Sequence, residues 1–371
     1  MLNLEYSEPT DYSYVMTMRQ QPLSELVNGP VLVTGHTGFK GAWLTMLLQE
    51  IGIEVVGFSL PPLEDSLYSR LNMSGKIKET FGDIRDKKEV SSVIKKFNPI
   101  AIIHLAAQPL VLESYNSPTE TFEVNCIGTA NILQNGILTK SVKSIIAVTT
   151  DKVYENNNSG IPFKENDPLK GKDPYSSSKV AAEAAISAWQ QIAINEHGPK
   201  IISVRAGNVI GGGDLAKDRL IPDLIRSHLN KTTVQIRNPK STRPWQHVLD
   251  PLCGYLKVLN LSMSGETDSA FNFGPSEKSL EVQKVIEIAQ KAWPEMFQVS
   301  VQNSQETKYE AFSLELDSKR SNVKLGWTPA WSQSEAITET VTWWKNLIIN
   351  DKSPIELCNL NINKAIMHHG L

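Results

Sequence analysis

Cysteine is scarce in this 371-residue chain, which has Cys126, Cys253 and Cys358, odd in number and far apart. That excludes a disulfide framework and fits reduced thiols in a cytoplasm. An excess of charge is missing too: the formal net charge is −3, so bulk electrostatics gives no footprint for nucleic acid or an anionic membrane. There is no apolar run long enough to span a bilayer, and the stretch from Met1 to Asn28, with Glu5, Glu8, Asp11 and Glu25, lacks the apolar core of a secretory signal. No metal-ligand spacing is present. These absences leave a cytoplasmic globular protein whose partner is a small molecule, with neither nucleic acid nor membrane.

What the chain does have is the stretch Pro30 to Gly41. The apolar strand Val31-Leu32-Val33 runs into Gly35-x-x-Gly38-x-x-Gly41 and then into a helix with a broad apolar face, stopped at Gly52. Glycines let the backbone approach a pyrophosphate, and the free N–H groups of the following helix attract the anion. A second strand at Glu54 to Phe58 completes the βαβ unit that such a loop needs. Gly35, Thr37, Gly38, Phe39, Lys40 and Gly41 are therefore assigned to a dinucleotide. At the second strand's end, where Asp or Glu usually accepts from the adenosine ribose, this chain has Ser59. With no arginine following closely and only Lys40 to meet a 2′-phosphate, NAD is favoured over NADP.

Further along, Asp83 and Ile84 follow a short strand and are placed at the adenine, although an Asp there commonly caps a turn. Leu105-Ala106-Ala107-Gln108 closes the strand from Ile100 with small residues suited to a flat cofactor. A helix is predicted from Thr119 to Leu138, carrying Asn125, and the strand Ser144 to Thr149 ends in Thr150-Asp151-Lys152, at the carboxyl edge where open α/β sheets bind ligands. Tyr175 and Lys179 stand four residues apart in a segment rich in helix formers, so both project from one helix face. Such spacing also arises on solvated helices. Placed after a glycine cradle and a Thr-Asp-Lys strand end, it reads as a tyrosine base whose pKa a neighbouring ammonium lowers.

The residues together resemble the extended short-chain dehydrogenase/reductase superfamily and, within it, the CDP-glucose 4,6-dehydratases. The motifs are Thr34 to Gly41, whose His36 and Lys40 set it apart from epimerases; Thr149-Thr150-Asp151-Lys152 with Tyr154-Glu155-Asn156; Asp173-Pro174-Tyr175-Ser176; Asn208 to Asp214; Asp218 to Asp223; and Ser241 to Leu249. They spread over residues 30 to 345. Leu215 and Val153 depart from the pattern, where Trp and Cys are common. The resemblance implies a tightly held NAD, reduced and reoxidised within each turnover, and conversion of CDP-glucose to CDP-4-keto-6-deoxyglucose and water, a step in deoxysugar biosynthesis for surface polysaccharide. It also implies catalytic roles for Thr150, Asp151, Lys152, Tyr175 and Lys179, substrate contacts from Gln108, Asn125, Asn208, Arg219, Arg243 and His247, and a homodimer or homotetramer.

The expected architecture is α/β: a Rossmann-type doubly wound parallel sheet with a smaller C-terminal α/β substrate-binding domain. Residues 1–29 form an extension, 30–207 the NAD-binding domain with 246–272 returning to it, 208–245 and 273–347 the substrate domain, and 348–371 a tail. A 4-epimerase or another nucleotide-sugar dehydratase is the alternative, and a non-catalytic NAD or nucleotide-sugar binder a further one.

Overall fold

The computed structural model describes residues 22–236, 238–266, 268–295, 299–301 and 314–371. Seven strands form one parallel sheet: β1 (Val31–Thr34), β2 (Val55–Ser59), β3 (Lys78–Phe81), β4 (Ala101–His104), β5 (Ser144–Val148), β6 (Lys200–Ala206) and β7 (Ala270–Phe273). Their spatial order is β7-β6-β5-β4-β1-β2-β3, so the order reverses between β1 and β4. At that switch point the two connections leave in opposite directions and open a crevice beyond the carboxyl ends.

A parallel sheet must be covered on both faces, and alternate residues of each strand divide between two cores. Val31, Val33, Ala101 and Ile103 face α1 (Phe39–Glu50) and the later helices, whereas Leu32 and Ile102 face α2 (Lys87–Phe97), α3 (Thr129–Ile137) and α4 (Pro174–Asn195). Each helix carries its own boundary signals: Asp86 caps α2, and Asp173 with Ser176 makes a reciprocal cap at the start of α4. The first core is completed by α5 (Leu220–Asn230), α6 (Leu249–Met263), α7 (Val282–Ala292) and α8 (Gln333–Ile348). Three short strand pairs, 209–210 with 246–247, 242–243 with 280–281 and 234–236 with 299–301, lie in the part of the chain beyond β6.

Three departures from the sequence reading have physical causes. The helix expected over 119–138 is interrupted: Pro118–Phe122 is α-helical, Glu123–Gly128 is a π segment, and α3 follows. The extra residue in a π turn re-aims the side chains before it. In the extension, Leu23–Leu26 makes a helical turn whose Leu23, with Val27 just after it, is buried in the first core; residues 1–21 lie outside the described residues. The C-terminal tail is a sixteen-residue helix, α9 (Pro354–His369), with Leu357, Cys358, Ile362 and Ala365 buried and Trp327, Trp331 and α6 in the same core. Its signals were in the sequence: Ser353 and Pro354 at the start, apolar residues at helical spacing, and Gly370 at the stop with φ +65°. Among the described residues no helix is long and apolar enough to cross a membrane.

Candidate active site

A single cavity of about 1290 Å³ runs along the carboxyl edge of the sheet from the glycine loop to the segments following β6. The glycines are sterically required. Gly35 has φ +73°, and a Cβ there would stand 2.8 Å from the Ala106 backbone; a Cβ at Gly41 would stand 2.1 Å from the Gly35 carbonyl oxygen. Gly35 is thus pressed against the segment after β4 and Gly41 against Gly35 itself, with no room for a side chain at either position. Gly41→Ala is expected to lower NAD affinity by at least tenfold and to destabilise the fold by about 1–3 kcal/mol, the cost typical of overpacking; equilibrium binding and thermal unfolding check both.

His36 does not face this cavity. Its ring packs against Gly57, where a Cβ would lie 2.7 Å away, and its Nε2 meets Glu79 Oε2 at 2.8 Å; Tyr68 donates to the same oxygen at 2.5 Å. The motif histidine therefore fastens the loop to the edge strand β3, and burial lowers its pKa despite Glu79. Thr37 Oγ1 and Ser59 Oγ share a hydrogen bond of 2.7 Å at the end of β2. Arg70, eleven positions beyond Ser59, also lines the cavity, its Nε donating to the Asp65 carbonyl at 3.1 Å; a short helix, Leu67–Arg70, brings it there. Lys40 is held away from its expected alternative: its Nζ donates to the Tyr255 hydroxyl at 3.3 Å, and Arg219, Lys179, Asp151 and Lys152 act on its charge.

Asp83 and Ile84 line the same cavity, and both Asp83 oxygens accept from Arg85, Oδ1 from its backbone N–H at 2.8 Å and Oδ2 from its Nη2 at 2.7 Å. Leu105, Ala106, Ala107 and Gln108 form the β4 wall. The Gln108 side chain is held by Thr121 Oγ1 at 3.0 Å and by Leu110. Asn125 is fully buried and does not line the cavity; its Oδ1 accepts from Gln108 N at 2.9 Å and its Nδ2 donates to Ser178 Oγ at 2.9 Å. It fixes the Gln108 backbone against α4, so direct substrate contact is corrected to support. His247 is corrected as well: it is fully buried between the rings of Trp43 and Trp331 and lies outside the cavity lining. Burial takes its pKa down to about 3, which leaves it neutral.

At the end of β5 the chain makes a tight turn, Asp151–Val153, with Thr150 as its cap. Thr150 Oγ1 donates to Asp151 Oδ1 at 3.0 Å, and Lys152 Nζ donates to the same oxygen at 3.4 Å and to Asn208 Oδ1 at 3.2 Å. Asp151 Oδ2 is buried with no hydrogen-bond partner among the described residues. Opposite this turn, Tyr175 shares a hydrogen bond with Thr150, and burial pushes its phenol up to about 12. The lowering expected from Lys179 is absent among the chain's own groups, because Lys179 Nζ is directed at the Val148 carbonyl, 3.4 Å away, and burial outweighs the Thr150 bond. Burial also brings Lys179 down to about 8, against the pull of Glu183.

Glu183 lies four residues beyond Lys179 on α4, and this buried carboxylate accepts from Thr149 Oγ1 at 2.5 Å, Ser203 Oγ at 2.6 Å and Arg205 Nε at 2.8 Å. The network pins α4 across β5 and β6, which sets where Tyr175 and Lys179 project. Beyond β6, Arg219 is held by Asp214 at 2.9 Å, Arg243 donates from Nη1 to the Thr242 carbonyl at 2.7 Å, and both arginines and Asn208 line the cavity. Tyr255, Asp214 and Arg70 were not singled out in the sequence. Asp214 ends the Gly211 to Asp214 run and carried a signal; Tyr255 sits in an apolar helix 215 positions from Lys40 and carried none.

Residues 32–340 match the GDP-mannose 4,6 dehydratase family. The chain belongs to that family. It is 40% identical over 324 residues to a CDP-glucose 4,6-dehydratase of Salmonella typhimurium, covering 85% of this chain and 90% of that one. Similar folds occur in a dTDP-glucose 4,6-dehydratase of Streptomyces venezuelae solved with NAD and TYD bound (TM-score 0.73, 22% identity, 88% of this chain and 99% of that one). A Thermus thermophilus UDP-glucose 4-epimerase in complex with NAD is also similar (TM-score 0.73, 24% identity, 86% of this chain and 100% of that one).

Proposed function

We propose that the protein is an NAD-dependent CDP-glucose 4,6-dehydratase, a lyase that forms CDP-4-keto-6-deoxyglucose and water. The observation that carries the reading is the Thr150-Asp151-Lys152 turn facing Tyr175 and Lys179 in a cavity continuous with the glycine loop. The family match and the 40% identical relative support it. An NAD-sized ligand fits the residues present, since the cavity of about 1290 Å³ is continuous from the glycine loop past Ser59 and Asp83 to the β4 wall. Gly35, Thr37, Gly38, Phe39, Lys40 and Gly41 would hold its diphosphate, Ser59, Asp83 and Ile84 its adenosine, and Leu105, Ala106 and Ala107 its flat rings. When bound, NAD supplies hydride acceptance from C4 and return to C6, and a positive charge beside the Tyr175 phenol.

The chain's own residues do the rest. Thr150 holds the C4 hydroxyl, Tyr175 takes its proton, and Lys179 orients the ribose and favours the phenolate. The C4 ketone acidifies C5–H, for whose removal Lys152 serves only as the neutral amine; Asp151 in its acid form gives its proton to the C6 oxygen, which leaves as water, and is reprotonated from solvent as Tyr175 gives up the C4 hydroxyl proton. Gln108, Asn208, Arg219 and Arg243 grip the substrate, the guanidinium groups matching the CDP diphosphate. Residues 30–207 with 246–272 serve NAD, and 208–245 with 273–347 serve the sugar nucleotide. We place the protein in the cytoplasm as a homodimer or homotetramer.

Incubation with NAD and each of CDP-, dTDP-, UDP- and GDP-glucose tests the assignment. Loss of water by mass and the alkali-induced absorbance of a 4-keto sugar are expected from CDP-glucose. A galactose-configured product of unchanged mass would replace the lyase by an epimerase. NAD binding without turnover of any of the four would leave a non-catalytic binder.

A further inference from the structure

Lys40 is the one charged side chain in the loop from Gly35 to Gly41, and it is half-buried on the cavity wall. The fixed acceptor the structure gives its Nζ is the Tyr255 hydroxyl at 3.3 Å, with the Tyr255 ring centroid 5.7 Å away. Tyr255 belongs to α6, a helix otherwise lined on this side by Leu252, Leu256 and Leu259, all fully buried, and its ring rests edge-on against Phe273 at 5.6 Å. A phenol amid such residues is costly unless its oxygen is used. Tyr255 does not line the cavity, and the hydrogen bond from Lys40 is what links its oxygen to a group that does.

We propose that Tyr255 is a positioning residue that aims the Lys40 ammonium at the diphosphate of the bound dinucleotide. This rests on the NAD reading above. Lysine has four rotatable bonds and a strongly hydrated head group, so a fixed acceptor is what makes it point in one direction. The charged groups that face Lys40 are Arg219, Lys179 and Lys152, which disfavour its ammonium, and Asp151, which favours it; Tyr175 faces Tyr255. Cations outnumber the anion at this end of the cavity. Burial and those cations bring Lys40 down to about 7, so an arriving diphosphate restores the charge and takes up a proton.

The test is a double-mutant cycle on NAD dissociation constants, measured by calorimetry with the full chain at pH 7 and pH 8.5. Y255F is expected to weaken NAD binding about fivefold, within the range for the net loss of one intramolecular hydrogen bond. K40M is expected to weaken it at least as much and to abolish the part of the proton uptake seen at pH 8.5 that Lys40 contributes. In the K40M background, Y255F is expected to have no further effect, because the link to the ligand through Lys40 is gone. An equal loss with and without Lys40 would make Tyr255 a packing residue and overturn the proposal, as would unchanged binding in Y255F. Should Y255F not fold, the wild type and K40M keep the proposal testable: NAD binding at pH 8.5 is expected to take up more protons in the wild type than in K40M, and equal uptake in the two would overturn it. Failure of the wild-type protein to bind NAD would remove the functional reading itself, whereas binding indifferent to Tyr255 removes only the pairing.

Discussion

Tyr175→Phe is expected to lower turnover of CDP-glucose by about 10³-fold while leaving NAD affinity within a factor of three, because the substitution removes the general base and little else. The phenol is buried and its one described side-chain partner is Thr150, so the phenylalanine ring occupies the same space. Lys179 keeps its contact with the Val148 carbonyl, and the Glu183 network that fixes α4 is untouched. Stability should rise slightly or stay level, since a buried hydroxyl with one hydrogen bond is exchanged for a hydrogen. Steady-state turnover, NAD calorimetry and thermal unfolding read the three quantities separately. Turnover within tenfold of the wild type would show that another group takes the C4 proton. The pH profile bears on the same point: Lys179 sits near 8 through burial, so the rate is expected to depend on a group titrating near there in the free protein.

The parts of this site that could be read in the sequence are those whose logic is local. The glycine cradle, the Thr150-Asp151-Lys152 strand end and the Tyr175–Lys179 spacing each lie within one turn of chain, so residue type and interval fix what they can do. Strands β1, β2, β4 and β5 were legible for the same reason, as apolar runs punctuated by glycine and polar ends. Asn125 and His247 were not, because a polar side chain inside a motif can face a ligand or hold another element, and only the packing decides. Asn125 falls in a π segment that turns it onto Gln108 and Ser178; His247 is enclosed by Trp43 and Trp331, which are distant in sequence. Likewise His36 looks like part of the cofactor loop until Gly57 is seen to make room for its ring and Glu79 to receive its Nε2. Small residues mark close approaches in a sequence, but not what approaches.

Asp151→Asn separates the two halves of the proposed reaction. Asparagine fills the same volume, and its carbonyl oxygen can still accept from Thr150 and Lys152, which both meet Oδ1 in the wild type. What it cannot do is deliver a proton to the C6 oxygen. That proton would come from Oδ2, the carboxylate oxygen without a hydrogen-bond partner among the described residues, which faces Gly207 across a gap that a Cβ there would narrow to 3.2 Å. Water release is therefore expected to fall by about 10³-fold, the middle of the range for loss of a positioned acid. Oxidation at C4 and proton removal at C5 do not use this group, so in deuterium oxide the recovered CDP-glucose is expected to gain one deuterium at C5 faster than product forms, an order the wild type does not show. If exchange at C5 and dehydration fall together, Asp151 acts before the elimination, in positioning Thr150 and Lys152, and the acid is to be sought elsewhere on the cavity wall.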